Sequence, residues 1–151
     1  MRIILQRVSS AAVHVDGETV GAIGRGFLLL VGIERGDGPD DVQVAARKLM
    51  GLRVFEDDAG KMNLDLRAVD GAFLVVSQFT LAGSVAKGRR PSFNAAAPPA
   101  EAEPLVERLM GELEGEGFRV AGGRFGAMME VELVNDGPVT LILDVRDGKV
   151  H

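Results

Sequence analysis

The sequence predicts a mixed α/β fold: a mixed sheet with two helices packed on one side, in the order β-β-β-α-β-α-β-β-β, as a single domain over residues 1–151. Three features predict it. Apolar residues alternate with polar ones near both ends of the chain, the pattern of strands with one covered face. An unbroken apolar run, Phe27 to Val31, sits between glycines and is too short for a helix. Two further segments carry apolar residues at helical spacing.

From Arg2 to Ile23, two alternating segments flank Asp16-Gly17, with Val13 and Val15 before it and Val20 and Ile23 after it, which predicts a hairpin. "GFLLLVGI" (Gly26 to Ile33) predicts a central strand covered on both faces. From Pro39 to Leu52, Val42, Ala45, Ala46, Leu49 and Met50 form one helical face, with Asp37 or Asp40 as the expected cap. "EDDAGKMN" (Glu56 to Asn63) reads as a polar loop, and Ala72 to Ser77 as an apolar strand leading into "SQFTL". A second helix is expected from about Pro99 to Glu114, with Ala102, Leu105, Val106, Leu109 and Leu113 on one stripe and Gly115 and Gly117 ending it. Ala127, Met129, Val131 and Leu133 then alternate with polar neighbours, and Val139 to Val145 is again strand-like. Asn135-Asp136-Gly137 between them predicts a hairpin turn, because all three tolerate positive φ. Pro138 is then a proline at a strand start. Since only about 5–6% of X-Pro bonds in folded proteins are cis, these residues alone predict trans.

Composition excludes several classes of function. The chain has no cysteine, so thiolate nucleophiles, disulfides and cysteine metal sites are out. Its 17 basic and 22 acidic residues leave a net charge of −5, so any contact with nucleic acid has to be local. Lys87, Arg89 and Arg90 are the candidate, with a solvated loop as the plain alternative. The apolar runs are too short to span a membrane, and Arg2 and Arg7 interrupt any secretory signal layout, so a cytoplasmic protein is expected.

Ser77-Gln78-Phe79-Thr80 is the most reactive-looking stretch, placing two hydroxyls and an amide at the end of a buried strand. A hydroxyl nucleophile normally needs a base, and neither histidine is well placed: His14 lies in the N-terminal hairpin, facing away from Val13 and Val15, and His151 is expected to fray. Lys61 or Lys87 as base is not demanded by any spacing. Glu56-Asp57-Asp58 has no histidine pair or spaced ligand set, and "GRGFLLLVG" does not match a dinucleotide fingerprint, so neither a metal nor any other cofactor is expected. An enzyme of this composition has to work through oriented dipoles and backbone amides, which suits an activated bond such as an ester.

"VSQFTL" (Val76 to Leu81) and "NDGPVT" (Asn135 to Thr140) together resemble the two signatures of the D-aminoacyl-tRNA deacylase family. "QRVSSAAVHVDGE", "LRVFEDDAGKMN", "KGRRPSFNAA" and "FGAMMEVELVNDGPVT" resemble their family counterparts in order and spacing, so the likeness covers nearly the whole chain. It implies hydrolysis of the ester between a D-amino acid and the 3′-terminal adenosine of tRNA, and of glycine mischarged on alanine tRNA, without a cofactor. It also implies a homodimer with active sites at the interface, in which Gly137 and Pro138, joined by a cis bond, reach into the partner's site to hold the substrate ammonium and reject L-residues. The resemblance further implies that Ser77, Gln78, Phe79 and Thr80 form the catalytic stretch, with Gln78 and the backbone amides around Phe79 and Thr80 stabilising the oxyanion, and with main-chain groups and the substrate's terminal 2′-hydroxyl serving in place of a base. Lys87, Arg89 and Arg90 become candidate phosphate contacts, and Phe125 and Met129 candidate packing partners for the terminal adenine, or simply core. The small residues Ala82 to Val85 and the additional Met128 depart from the commoner family form. Two alternatives stay open: an esterase for another acyl group, and a dimeric binder of tRNA ends that does not cleave.

Overall fold

The computed structural model describes residues 1–151. The chain runs β1 (Arg2–Val15), β2 (Glu18–Ile23), β3 (Gly26–Gly32), α1 (Pro39–Gly51), β4 (Phe55–Glu56), β5 (Met62–Leu64), β6 (Ala72–Ser77), α2 (Pro99–Gly115), β7 (Val120–Gly122), β8 (Glu130–Arg146) and β9 (Lys149–Val150), with short 3-10 turns at Arg67–Val69 and Phe79–Ala82. The main sheet has the order β7-β6-β3-β1-β8-β9, with β2 paired to β1, and β4 and β5 form a separate small hairpin. The sheet is mixed: β3–β6 and β6–β7 are parallel, whereas β1 is antiparallel to β2, β3 and β8. β3 lies inside it, and Phe27, Leu28 and Leu29 are fully buried, as expected of a strand covered on both faces.

One face of the sheet carries Ile3, Leu5, Phe27, Leu29, Val31, Phe73 and Val75, and both helices pack there. α1 contributes Val42, Ala45, Ala46 and Leu49; α2 contributes Ala102, Leu105, Val106, Leu109 and Leu113. Each large side chain buried in this way stabilises the fold by roughly 1.5–3 kcal/mol. An exposed ion pair contributes only about 0–1 kcal/mol, so the helical stripes rather than the surface charges hold this layer in place. The opposite face carries Val8, Ala11, Val13, Leu28, Leu74 and Val76. It is closed by β2, which curls towards β7 until the backbones nearly touch, and a Cβ on Gly21 would overlap the carbonyl oxygen of Gly122.

The C-terminal hairpin expected at Asn135–Pro138 does not form. β8 runs unbroken from Glu130 to Arg146 along β1, with Val8 opposite Asn135 and Gln6 opposite Thr140. Asp136 to Val139 therefore face only Arg7 and bulge out of the ladder at the register shift between Gln6 and Val8 of β1. A bulge on an edge tolerates the missing N–H of proline. The Asn135 side chain spans it, accepting from the Val139 amide at 3.0 Å and donating to Thr140 Oγ1 at 3.0 Å. The Gly137–Pro138 bond is cis, against the ordinary expectation for X-Pro and in line with the family resemblance.

Other differences are local. The α1 N-cap is Gly38, not Asp37 or Asp40; Asp41 accepts the Gly38 amide, while Asp37 accepts the Glu34 amide. The polar segment from Glu56 to Asn63 is the turn between β4 and β5, where the Asp57 carboxylate accepts the Lys61 and Ala59 amides and is held below its usual pKa chiefly by the Lys61 bond. β8 starts at Glu130 rather than Ala127, after a turn at Phe125–Ala127. His151 does not fray, since its amide donates to the Asp144 carbonyl at 2.9 Å. No helix is long and apolar enough to cross a membrane.

Candidate active site

β6 carries Ser77 to the rim of the sheet, where the Gln78 amide makes one last bond to the Val31 carbonyl at 2.8 Å. The chain then enters the 3-10 turn Phe79–Ala82, whose own bonds begin with the Leu81 amide donating to Gln78 O. The first amides of such a turn, those of Phe79 and Thr80, have no acceptor within it. The Gln78 side-chain amide donates to Thr80 Oγ1 at 3.0 Å, bracing the turn across its mouth.

Ser77, Gln78, Phe79 and Thr80 line a cavity of about 930 Å³. The chain entering α2 (Ala96 to Pro99) forms a second wall, and Phe125 to Met129 with Val131 form a third. The lining is mostly apolar and contains no charged side chain; its side-chain polar groups are the two hydroxyls and the amide of the Ser77–Thr80 stretch. Backbone donors left free at such a turn act most strongly on an anionic oxygen where the surroundings are weakly polar.

Phe125 and Met129, the candidate packing partners for the terminal adenine, both line the cavity. Both also pack on the fold, Phe125 against the helical core and Met129 against the opposite cluster. Lys87, Arg89 and Arg90 do not line the cavity; they lie on an exposed loop closed at its base by reciprocal backbone bonds between Ser84 and Ser92. Gly137 and Pro138 are exposed on β8 and are also outside the lining of the cavity. His14 is bonded to Glu132 at 2.9 Å and to Thr19 at 3.0 Å, away from the cavity.

Arg7 was not singled out from the sequence. Only 5% exposed, it fills the gap in β1 opposite the bulge. Its Nη1 donates to the Val54 carbonyl at 2.6 Å and its Nε to the Asp136 carbonyl at 3.0 Å, so one buried guanidinium ties the residue preceding Gly137 to the body of the protein. The hint in the sequence was a cation at the position that continues the apolar alternation of Ile3 and Leu5. Phe93 and Met128 also line the cavity without having been anticipated.

Comparison with known proteins places this geometry. The family described as D-Tyr-tRNA(Tyr) deacylase matches residues 4–144. A D-aminoacyl-tRNA deacylase of Geobacter sulfurreducens is 58% identical over 146 residues, 97% of this chain and 96% of its own. One from Halalkalibacterium halodurans is 54% identical over 146 residues, covering 97% of this chain and all of its own. Among solved structures, a c-Myc DNA unwinding element binding protein superposes with a TM-score of 0.89 at 40% identity, covering 95% of this chain and 98% of its own. A probable eukaryotic D-amino acid tRNA deacylase shares the fold, with a TM-score of 0.76 at 21% identity over 93% of this chain and 97% of its own. The chain belongs to the D-Tyr-tRNA(Tyr) deacylase family.

Proposed function

We propose that this protein, acting as one deacylase domain over residues 1–151, hydrolyses the ester of D-aminoacyl-tRNA and of glycyl-tRNA in the cytoplasm. It releases the amino acid and intact tRNA and spares L-aminoacyl esters. The observation that carries this reading is the pair of unpaired amides at Phe79 and Thr80, set in an apolar cavity whose lining contains no basic side chain. Water adds to the ester carbonyl as its proton passes to the 2′-hydroxyl, the oxyanion is held by those amides, and the intermediate collapses by expelling the adenosine 3′-oxygen, to which the 2′-hydroxyl relays that proton. The 2′-hydroxyl next to that oxygen is the group placed to activate the water, which accounts for an active site without its own base. Ser77, Gln78 and Thr80 shape and brace the turn.

Stereochemical rejection is assigned to Gly137 and Pro138 of a second copy. In one chain they lie outside the cavity, on a strand whose outer edge from Glu130 to Leu143 pairs with nothing and which also exposes Val134, Leu141 and Ile142. An unpaired edge carrying apolar side chains fits a homodimer interface. Gly137 has no side chain and Pro138 no N–H, so together they present carbonyl acceptors to the substrate's ammonium and leave no room for an L side chain. Glycine offers nothing to exclude. Lys87, Arg89 and Arg90 contact phosphates of the acceptor end, while Phe125 and Met129 pack against the terminal adenine.

Two experiments test this reading. D-tyrosyl-tRNA ending in 2′-deoxyadenosine is expected to bind and to be hydrolysed far more slowly than its ribose counterpart; equal rates would remove the substrate-assisted step. Mixing a Gly137→Val chain with a chain altered at the Phe79–Thr80 turn is expected to restore one complete site per heterodimer. No recovery in a verified mixed dimer would remove the cross-subunit assignment. Binding of the ribose substrate without release of amino acid would instead favour a tRNA-end binder.

A further inference from the structure

The cationic loop and the Ser77–Thr80 turn touch through a pair of aromatic rings. Just past the Ser84–Ser92 closure, Phe93 packs edge-to-face on Phe79, with ring centroids 5.2 Å apart and planes at 72°. The Phe93 ring also lies over Gly83: a Cβ there would come within 2.8 Å of the ring and 2.9 Å of the Thr80 carbonyl oxygen. The chain that follows Phe93 is stitched to the end of β3. The Ala97 amide donates to Ile33 O at 3.0 Å, the Arg35 amide to Ala95 O at 2.9 Å, and Arg35 Nε to Asn94 O at 2.9 Å. Phe93 is thus held from behind by the sheet, whereas Phe79 opens a single 3-10 turn.

Neither ring belongs to the core: Phe79 is 56% exposed and Phe93 38%. A contact between two such rings contributes little to keeping the domain folded. Its main mechanical effect is on the turn, where it limits rotation of the Phe79 side chain and, through it, of the peptide groups on either side. Gly83 is the only residue type that leaves space for the ring beneath the Thr80 carbonyl.

We propose that Phe93 is a positioning residue, which through its contact with Phe79 sets the direction of the Phe79 and Thr80 amides and couples that direction to the loop bearing Lys87, Arg89 and Arg90. The proposal rests on the reading of those amides as the oxyanion donors. A substrate whose phosphates settle the loop thereby settles the donors as well.

The test uses the full chain with Phe93→Leu, which removes the ring but keeps apolar bulk, Phe93→Tyr, which keeps the ring, and Gly83→Ala, which displaces it. Misdirecting a donor or a bound ester by about 1 Å costs on the order of 10- to 100-fold. Phe93→Leu and Gly83→Ala are therefore expected to lower kcat on D-tyrosyl-tRNA to that extent while KM changes less than about twofold, the signature of a transition-state effect. Phe93→Tyr should be close to wild type. In the free protein labelled with ¹⁵N-phenylalanine, the Phe79 amide resonance should move in the first two variants, while those of the core residues Phe27, Phe55 and Phe73 stay in place. Raised KM with unchanged kcat would mean that the ring only touches substrate, and would overturn the proposal. So would an unmoved Phe79 resonance, or displaced core resonances in Phe93→Leu. A wild-type protein that releases no D-tyrosine would overturn the underlying reading of the amides, an outcome separable from the resonance test.

Discussion

Replacing Arg7 by lysine keeps the charge and removes the fork. In the native protein Nη1 serves the Val54 carbonyl and Nε the Asp136 carbonyl, two acceptors on different segments that a single ammonium cannot reach together. One charge-assisted bond is lost, at about 1.5–3 kcal/mol, and a buried carbonyl is left without a donor, at about 1–3 kcal/mol. Partial rehydration offsets some of this, so a net destabilisation of about 2–4 kcal/mol is expected. For a domain of this length, that lowers Tm by about 5–15 °C. The bulge at Asp136–Pro138 also loses its tether, so discrimination against L-tyrosyl-tRNA should weaken more than D-tyrosyl turnover does. Chemical denaturation and paired D and L release assays on the same preparation measure both effects. Unchanged stability together with an unchanged D-to-L ratio would refute the assignment of Arg7 as the tether.

Three further outcomes follow from the same geometry. Thr80→Ala removes the acceptor for the Gln78 side chain but leaves the backbone donors, so turnover of D-tyrosyl-tRNA should stay within about tenfold of wild type, and complete loss would indicate a covalent role for the hydroxyl. Gly21→Ala places a methyl against the Gly122 carbonyl and should cost about 1–3 kcal/mol of stability by denaturant melt, without changing D-to-L selectivity. The Asp144 carboxyl is held below its usual pKa, chiefly by its hydrogen bond to Arg2, so it stabilises the folded state above the unfolded-state pKa, near 4, and that contribution is lost as pH falls through the lower folded-state value. Asp144→Asn should therefore be less stable than wild type by about 1 kcal/mol at pH 7, and the difference should vanish in strong acid.

Strong periodicity made the helices and the buried strand legible. The stripes at Val42–Leu49 and Ala102–Leu113 and the run Phe27–Val31 each encode one burial pattern, and the structure buries those apolar residues except Leu30, which is half-buried. The helical ends were close as well, because Pro39, Pro99 and Gly115 act locally. β4, β5, β7 and β9 were not legible because they are only two or three residues long, and their pairing is decided by neighbours distant in sequence. Asn135–Pro138 shows the limit of local chemistry. Residues that tolerate a tight turn also tolerate a bulge, and which one forms depends on Arg7 and the register of β1. Of the site, Ser77–Thr80 was readable as polar residues closing an apolar strand. Phe93 was not, since its significance lies in the Phe79 ring it meets.

The most direct measurement is the release of labelled amino acid from matched D-tyrosyl-, L-tyrosyl- and glycyl-tRNA by the purified protein, with and without chelator. Rapid cleavage of the D and glycyl esters, an intact L ester and no effect of chelator are expected. Equal cleavage of the D and L esters would contradict this expectation.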